Sequence, residues 1–86
     1  MVKYPLYIKL NNGLSWYKII SDIEYEEVKL IGKRFTHAHY KAEDYAQQLF
    51  ISDLVKNFSD FNSLVTAEDF DNFLAECERD LEPIVL

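Results

Sequence analysis

The chain has 86 residues, of which 49% are hydrophobic and 15% aromatic, and its formal net charge is −6. This length allows one domain with one core, and the apolar content argues against a disordered chain. The single cysteine, Cys77, excludes an internal disulfide and favours a reducing compartment, while no apolar run has the length of a membrane span. The N-terminal residues lack a signal-peptide core, so we expect one cytoplasmic domain over residues 1–86.

The charge is distributed unevenly along the chain. Residues 1–41 hold seven Lys/Arg and four Asp/Glu, a balance of +3. Residues 42–86 hold two Lys/Arg and eleven Asp/Glu, a balance of −9. A net negative chain repels phosphate backbones, so we do not expect nucleic acid as a partner.

Residues Tyr4 to Ile20 have the pattern of a β-hairpin. Two strand-forming runs, Tyr4–Leu10 and Leu14–Ile20, flank Asn11-Asn12-Gly13, and a three-residue loop that ends in glycine is a favoured connection. This loop places Ile8 opposite Trp16, and directly opposed residues share a sheet face. The predicted core face holds Tyr4, Leu6, Ile8, Leu10, Leu14, Trp16 and Ile20.

The opposite face of this hairpin carries Tyr7 against Tyr17 in the predicted register. The pair has two interpretations: cross-strand packing, or an exposed recognition surface, because tyrosine offers contact area and a hydroxyl group at low entropic cost. A slip of one residue exchanges the two faces, so this assignment depends on the identity of the loop.

Two interpretations compete for residues 21–31. Ser21-Asp22-Ile23-Glu24 has the capping-box spacing that starts a helix, here over 22–31. The apolar residues that follow do not gather on one helical face, and Gly32-Lys33 has the form of a two-residue type II′ hairpin turn. We favour a capped turn at 21–24 and then strands at about 25–31 and 34–41, with Val28 opposite His37 and Glu26 opposite His39.

Residues 43–58 are predicted to form a helix because they are rich in good helix formers. Helical spacing gathers part of its apolar residues into a buried stripe. The stripe holds Ile51, Leu54, Val55 and Phe58, whereas Tyr45, Leu49 and Phe50 lie off it. The helix therefore either contacts apolar surface on two sides or breaks near Gln48. A turn at 59–62 and a short edge strand at 61–65 follow.

The clearest predicted helix covers Thr66 to Leu81. Thr66 is a favourable cap residue, Glu68 and Asp69 place negative charge in the first turn, and Pro83 ends the helix. Its apolar stripe comprises Phe70, Phe73, Leu74, Cys77 and Leu81. The apolar tail 84–86 is expected to pack on the body or on a partner.

Together these elements predict an α+β fold, with a small antiparallel meander of three to four strands packed on one face by two helices. Trp16 is expected on the apolar side of this sheet, covered by Phe70 and Phe73. The edge strand near 61–65 leaves two oligomeric states open, a monomer or a weak homodimer, because unpaired edges can bind a second chain.

His37 and His39 are the candidate metal ligands. Two residues apart on a strand, they point the same way, and Glu26 on the neighbouring strand completes a His-His-carboxylate set in the predicted register. The alternative places these histidines at the solvated end of an otherwise apolar sheet face. We favour the second interpretation and assign no metal and no cofactor.

No catalytic residues are assigned. Cys77 lies inside the apolar stripe of a helix, which is typical of a small buried hydrophobe and not of a nucleophile. Gly13 and Gly32 are both used by turns, whereas phosphate-cradling loops need several glycines. We therefore expect a protein that is not an enzyme.

The acidic residues of the last helix surround its apolar stripe: Glu68, Asp71, Glu76, Glu78, Asp80 and Glu82. They form either an ordinary solvated face or a surface for a basic partner. The sequence favours a non-enzymatic protein-interaction or regulatory module that binds a protein through its acidic C-terminal half. The alternatives are an acidic inhibitor that mimics nucleic acid, of the sort that mobile elements encode, and a small ligand- or metal-binding protein.

Overall fold

The computed structural model describes residues 3–56 and 62–84. Six strands and two helices follow one another along the chain in the order β1-β2-β3-β4-α1-β5-α2-β6. The strands are β1 (Leu6–Leu10), β2 (Ser15–Ser21), β3 (Glu24–Ile31), β4 (Arg34–Lys41), β5 (Asn62–Val65) and β6 (Glu82–Pro83). The helices are α1 (Tyr45–Lys56) and α2 (Ala67–Asp80).

All six strands form one sheet in the spatial order β5-β1-β2-β3-β4-β6. Strands β1 to β4 make the expected antiparallel meander, β5 adds to β1 in antiparallel orientation, and β6 adds to β4 in parallel orientation. The predicted α+β class is confirmed. The sheet has more strands than the three or four expected, because both β5 and β6 extend it.

The register of the first hairpin differs from the predicted one by one residue. Ile8 lies opposite Tyr17 and Lys9 opposite Trp16. The loop holds four residues because the Asn12 side-chain oxygen accepts a hydrogen bond from the Leu14 amide at 2.8 Å, which keeps Leu14 out of the strand. The prediction that Trp16 shares a face with Ile8 is therefore wrong, since a one-residue slip moves every side chain of a strand to the other face.

Of the two interpretations of residues 21–31, the structure shows the strand and not the helix. β2 continues to Ser21, Asp22-Ile23 form the turn, and Glu24 already belongs to β3. The Ser21 hydroxyl accepts a hydrogen bond from the Ile23 amide, so it stabilises a turn and not a helix start. The β3–β4 register is as predicted, with Val28 opposite His37 and Glu26 opposite His39.

Gly32 occupies the first position of the β3–β4 turn with φ of 63°, the positive φ that a type II′ turn requires there.

The two helices cover opposite faces of the sheet. Trp16 and Tyr17 are consecutive in β2 and therefore point to opposite faces. Tyr17 belongs to a core cluster with Ile51 of α1, whereas Trp16 packs in a second cluster with Phe70 of α2. The prediction that both helices pack on one face is wrong. The physical reason is the shifted register, which makes both faces of the first hairpin apolar.

The N-terminus of helix α2 is capped as expected. Thr66 is the N-cap, and its hydroxyl accepts from the Asp69 amide while the Asp69 carboxylate accepts from the Thr66 amide. The helix packs through buried Phe70 and Cys77, and Phe73 stacks on Trp16, which confirms that the Phe70–Phe73 side of α2 covers the tryptophan.

The segment after α2 pairs with the sheet. Glu82 and Pro83 lie beside Arg34 and Phe35, and the Ile84 amide donates to the Phe35 carbonyl at 2.8 Å. The expected packing of the tail on the body thus holds for Ile84. Residues 85 and 86 lie outside the described residues, as do the predicted end of the first helix at Phe58 and most of the predicted turn at 59–62.

Candidate functional site

Helix α1 positions the candidate site, and its start is fixed by the segment before it. The Asp44 carboxylate accepts a hydrogen bond from the Gln47 amide at 2.8 Å, and the Gln47 side-chain oxygen accepts from the Glu43 amide at 2.9 Å. These reciprocal bonds satisfy amides at the helix N-terminus. The inner stripe of the helix, Ile51, Leu54 and Val55, is buried against the sheet.

The outer side of α1 leaves large apolar side chains in contact with solvent. Tyr45 is 77% exposed, Leu49 46% and Phe50 41%. These are the residues that lie off the buried stripe in the sequence. Tyr45 and Leu49 do not belong to the core cluster under α1, so they contribute only part of their apolar area to folding.

An open groove of about 520 Å³ lies beside this side of α1. We call it the α1 groove, and its lining residues are Tyr4, Asp22, Tyr45, Gln48, Leu49, Ile51, Ser52, Val55 and Lys56. Its volume lies within the range of small-molecule and side-chain pockets, roughly 300–1,000 Å³. The walls combine apolar side chains with polar groups, namely a carboxylate, an amide, hydroxyl groups and an amine.

An aromatic row adjoins Phe50 on the same face of the sheet. The Phe50 ring lies 5.6 Å from Tyr25 and 6.1 Å from Tyr17, and Tyr25 stacks on Tyr40 at 5.0 Å between ring centroids. Tyr17 is buried, and burial together with the neighbouring Glu27 carboxylate raises its pKa well above the ordinary range of tyrosine. The row anchors Phe50 from below and extends the apolar surface towards β4.

The predicted Tyr7–Tyr17 surface does not exist, because the two residues lie on opposite faces. Tyr7 packs on Phe70 of α2 with ring centroids 5.6 Å apart, and Tyr17 lies in the core under α1. Both side chains therefore serve packing. The same one-residue change in register that moved Trp16 accounts for this correction.

The histidines of β4 are partnered by carboxylates of β3. His37 Nε2 lies 2.9 Å from a Glu26 carboxylate oxygen, and His39 Nε2 contacts Glu24 in the same way. Glu26 also lies 3.8 Å from Lys18 Nζ. Each histidine thus pairs with its own glutamate, and Glu26 is not shared between them.

The alternative of a metal site at His37, His39 and Glu26 gains no support from this geometry. No group of three or more His, Cys, Asp or Glu side chains within residues 3–56 and 62–84 is arranged to hold a metal ion. The pairs instead form a solvated polar ladder across two strands, which is the interpretation favoured by the sequence.

Cys77 is buried in the core under α2, where burial and the nearby Glu76, Glu78 and Asp80 carboxylates raise the pKa of its thiol. A thiol with a raised pKa is a poor nucleophile. The carboxylates of α2 remain on its outer surface, where Glu68, Asp71, Glu76 and Glu78 are all exposed. Asp80 instead pairs with Arg79, whose guanidinium lowers the pKa of the Asp80 carboxyl.

The α1 groove is the site that the sequence did not identify. The signal was present in Tyr45, Leu49 and Phe50, which have no place on the buried stripe of a helix that packs on one side. The position of Tyr45 and Leu49 in a groove beside Tyr4 followed only from the fold, whereas Phe50 packs on the aromatic row.

Comparison of the chain with protein-family models, with curated proteins and with solved structures found no match. Within the described part of the chain, neither helix combines the length and the apolarity that crossing a membrane requires.

Proposed function

We propose that this chain is a non-enzymatic protein-interaction module that binds its partner through the α1 groove. The observation that carries the proposal is the exposure of Tyr45 and Leu49, which line a groove of about 520 Å³. Large apolar side chains clustered at a concave surface are characteristic of protein contact sites. The occupant that fits this chemistry is an apolar or aromatic side chain of a partner protein.

The groove is supported from below, which favours binding without large rearrangement. Ile51 and Val55 line it while they also belong to the buried stripe of α1. A preorganised surface loses less conformational entropy when a partner binds. Asp22 and Lys56 at the groove offer charged contacts that set orientation. A cytoplasmic location is part of the proposal, supported by the single cysteine.

The test compares wild type with Leu49→Asp and with Leu14→Asp. Leu14 is a matched control, since it is 49% exposed and lies in the β1–β2 loop away from the groove. Each protein is immobilised and exposed to lysate of the native host. We expect partners that bind wild type and Leu14→Asp and are lost with Leu49→Asp. Retention of the same proteins by all three variants would exclude the groove as the binding site.

A second candidate is an acidic inhibitor that occupies the binding site of a basic protein. The exposed carboxylates of Glu68, Asp71, Glu76 and Glu78 along α2 favour it. Such binding weakens steeply with added salt, whereas groove binding through apolar contacts does not. Elution of captured proteins at about 0.5 M salt from wild type, together with loss on Asp71→Lys and Glu78→Lys, would favour the inhibitor.

A further inference from the structure

Phe50 of α1 does not line the α1 groove and belongs instead to an aromatic surface on the same face of the sheet. Its side chain is 41% exposed, and that of Tyr40 in β4 is 39% exposed. Tyr25 of β3 connects them, with ring centroids 5.6 Å from Phe50 and 5.0 Å from Tyr40. We call these three residues the aromatic platform. The proposed binding in the α1 groove makes no use of it.

A carboxylate lies beside this platform without a cation of its own. Glu27 follows Tyr25 by two residues in β3, so both side chains point to the same face of the sheet. Glu27 is partly buried, and the Tyr17 hydroxyl donates a hydrogen bond to it. No Lys, Arg or His nitrogen of the described residues lies within ion-pair distance of Glu27, whereas the two other glutamates of β3 each have such a partner. The carboxylate is therefore held in position while its charge remains uncompensated.

The small side chain of Ala38 leaves room between this carboxylate and the platform. Ala38 lies directly opposite Glu27 in the β3–β4 pair, and Tyr40 lies directly opposite Tyr25. Ala38 and Tyr40 are two residues apart in β4 and share a face, and diagonal neighbours across two strands are within reach of long side chains. A ligand group that lies over Ala38 can thus contact the Tyr40 ring and the Glu27 carboxylate together.

An aromatic surface beside an uncompensated carboxylate has the chemistry that binds a cation. The faces of aromatic rings attract cations by about 0.5–1 kcal/mol at exposed sites. Arginine fits better than lysine, because its planar guanidinium stacks on rings and presents two N–H groups to one carboxylate. Asp53 is exposed and follows Phe50 by three residues, the spacing of neighbours on a helix, so it adds negative charge nearby. The net charge of −6 also attracts a basic partner from a distance.

We propose that the aromatic platform and Glu27 together bind an arginine side chain of a partner protein. The guanidinium lies over Ala38, stacks on Tyr40 and pairs with the Glu27 carboxylate. This site is separate from the α1 groove and does not depend on it. A partner that fills both places contributes an apolar side chain to the groove and an arginine to the platform.

The first test is an NMR titration of the isotope-labelled full chain at low salt with three blocked tripeptides. They are acetyl-Gly-Arg-Gly-amide, its lysine analogue and its citrulline analogue, which keeps the shape of arginine without the charge. We expect the arginine peptide to shift the resonances of Tyr25, Ala38 and Tyr40, with a dissociation constant of about 1–20 mM. The lysine peptide should bind more weakly, and the citrulline peptide at least about fivefold more weakly. Equal shifts with arginine and citrulline, or no shift at about 50 mM arginine peptide, would overturn the proposal.

A second test locates the contact with two matched pairs of variants. Glu27→Gln removes the charge at the site, whereas Glu26→Gln makes the same change one residue away on the other face of the sheet. Tyr40→Leu removes a platform ring, whereas Tyr45→Leu removes an exposed ring of the α1 groove. We expect Glu27→Gln and Tyr40→Leu each to weaken binding of the arginine peptide about threefold or more, and the two controls to leave it unchanged.

The controls separate this site from the α1 groove. Equal effects within the glutamate pair would mean that only the net charge matters, and an effect of Tyr45→Leu in place of Tyr40→Leu would assign the arginine to the groove. Either result would contradict the platform. Tyr40 and Tyr45 are both exposed, so the tyrosine pair decides the question even if Glu27→Gln disturbs the packing of Tyr17. Binding of the arginine peptide by Tyr45→Leu would support the platform whether or not the groove binds another protein.

Discussion

Trp16 of β2 and Phe73 of α2 stack with their ring centroids 4.4 Å apart and their planes inclined by 11°. The other contacts of the tryptophan reinforce this one, since Lys9 Nζ lies 5.6 Å from the centre of its ring. The stack joins α2 to one of the two central strands of the sheet. Substitution of Trp16 therefore tests the packing of α2 on the sheet directly.

Removing the indole ring should weaken the fold far more than trimming it. Trp16→Ala is expected to lower the free energy of unfolding by about 3–5 kcal/mol, because it leaves a cavity under α2. Trp16→Phe keeps an aromatic ring on Phe73 and removes an indole N–H that is buried without an acceptor among the described residues, so its cost should stay below about 1.5 kcal/mol. Urea unfolding followed by circular dichroism measures both. Equal losses would contradict the stacked geometry.

The capping box at Thr66 should contribute measurably to α2. Thr66→Ala removes the hydroxyl that accepts from the Asp69 amide at 3.0 Å and is expected to cost about 1 kcal/mol. Thr66→Ser retains an acceptor and serves as the control, with a cost of a few tenths of a kcal/mol. The same unfolding experiment measures the difference. If the two variants prove equally stable, the cap does not hold the helix.

Gly32 should resist substitution because of its backbone and not because of crowding. Nothing lies within 4 Å of the position that a Cβ atom would occupy, but φ is 63°. Gly32→Ala is therefore expected to cost about 1–2 kcal/mol, while Gly32→Asn costs less because the positive-φ positions of primed turns accept asparagine better than alanine. Thermal unfolding of both variants would show which of them is the more stable. A neutral alanine would mean that the turn adopts another conformation.

Stability should fall in alkaline solution because of Tyr17. Burial, and then the nearby Glu27 carboxylate, raise the pKa of its phenol above the ordinary value of 10.0. The folded protein therefore keeps a proton that the unfolded chain releases, so the contribution is complete below pH 10 and is lost as the pH rises further. Each pH unit above about 10.5 should lower the free energy of unfolding by up to about 1.4 kcal/mol.

Tyr17→Phe provides the control for this effect, since it keeps the ring and removes the ionising group. Its unfolding free energy should depend less steeply on pH above 10 than that of wild type. Tyr25, whose pKa burial also raises, contributes a smaller dependence that remains in the variant. Identical slopes for wild type and Tyr17→Phe would mean that Tyr17 is not buried as described.

The thiol of Cys77 should report on the opening of α2. It is buried and its pKa is raised, so a thiol reagent at pH 8 is expected to modify the native protein orders of magnitude more slowly than the protein in urea. Trp16→Ala should accelerate the reaction by weakening the α2 contact. Fast modification of the wild type would place Cys77 at the surface.

The elements were predictable where the signal is local. Glycine at Gly32 and alternating residues on both sides defined the β3–β4 register, and Thr66 with Pro83 defined α2. The predicted register of the first hairpin was wrong because the register depends on one hydrogen bond, from the Leu14 amide to the Asn12 side chain. Asn11-Asn12-Gly13 is compatible with loops of three or four residues, and the sequence alone does not choose between them.

The error in the register of the first hairpin also explains why the sequence did not predict which helix covers which face of the sheet, or the α1 groove. With Trp16 and Ile8 on one face, the other face appeared half polar and had no need of a second helix. The observed register makes both faces apolar, so each helix has a face of its own. Tyr45 and Leu49 of α1 then lie outside the core cluster under this helix. The His37 and Glu26 positions were correct, but which side chain contacts which depends on diagonal geometry that pairing alone does not fix.

The separation of the two cores by the sheet has a consequence for how this protein can change during evolution. Since α1 and α2 rest on opposite sides of the same strands, substitutions beneath one helix are insulated from those beneath the other. The surface around α1 can therefore diversify to suit new ligands while the Trp16 side preserves the scaffold.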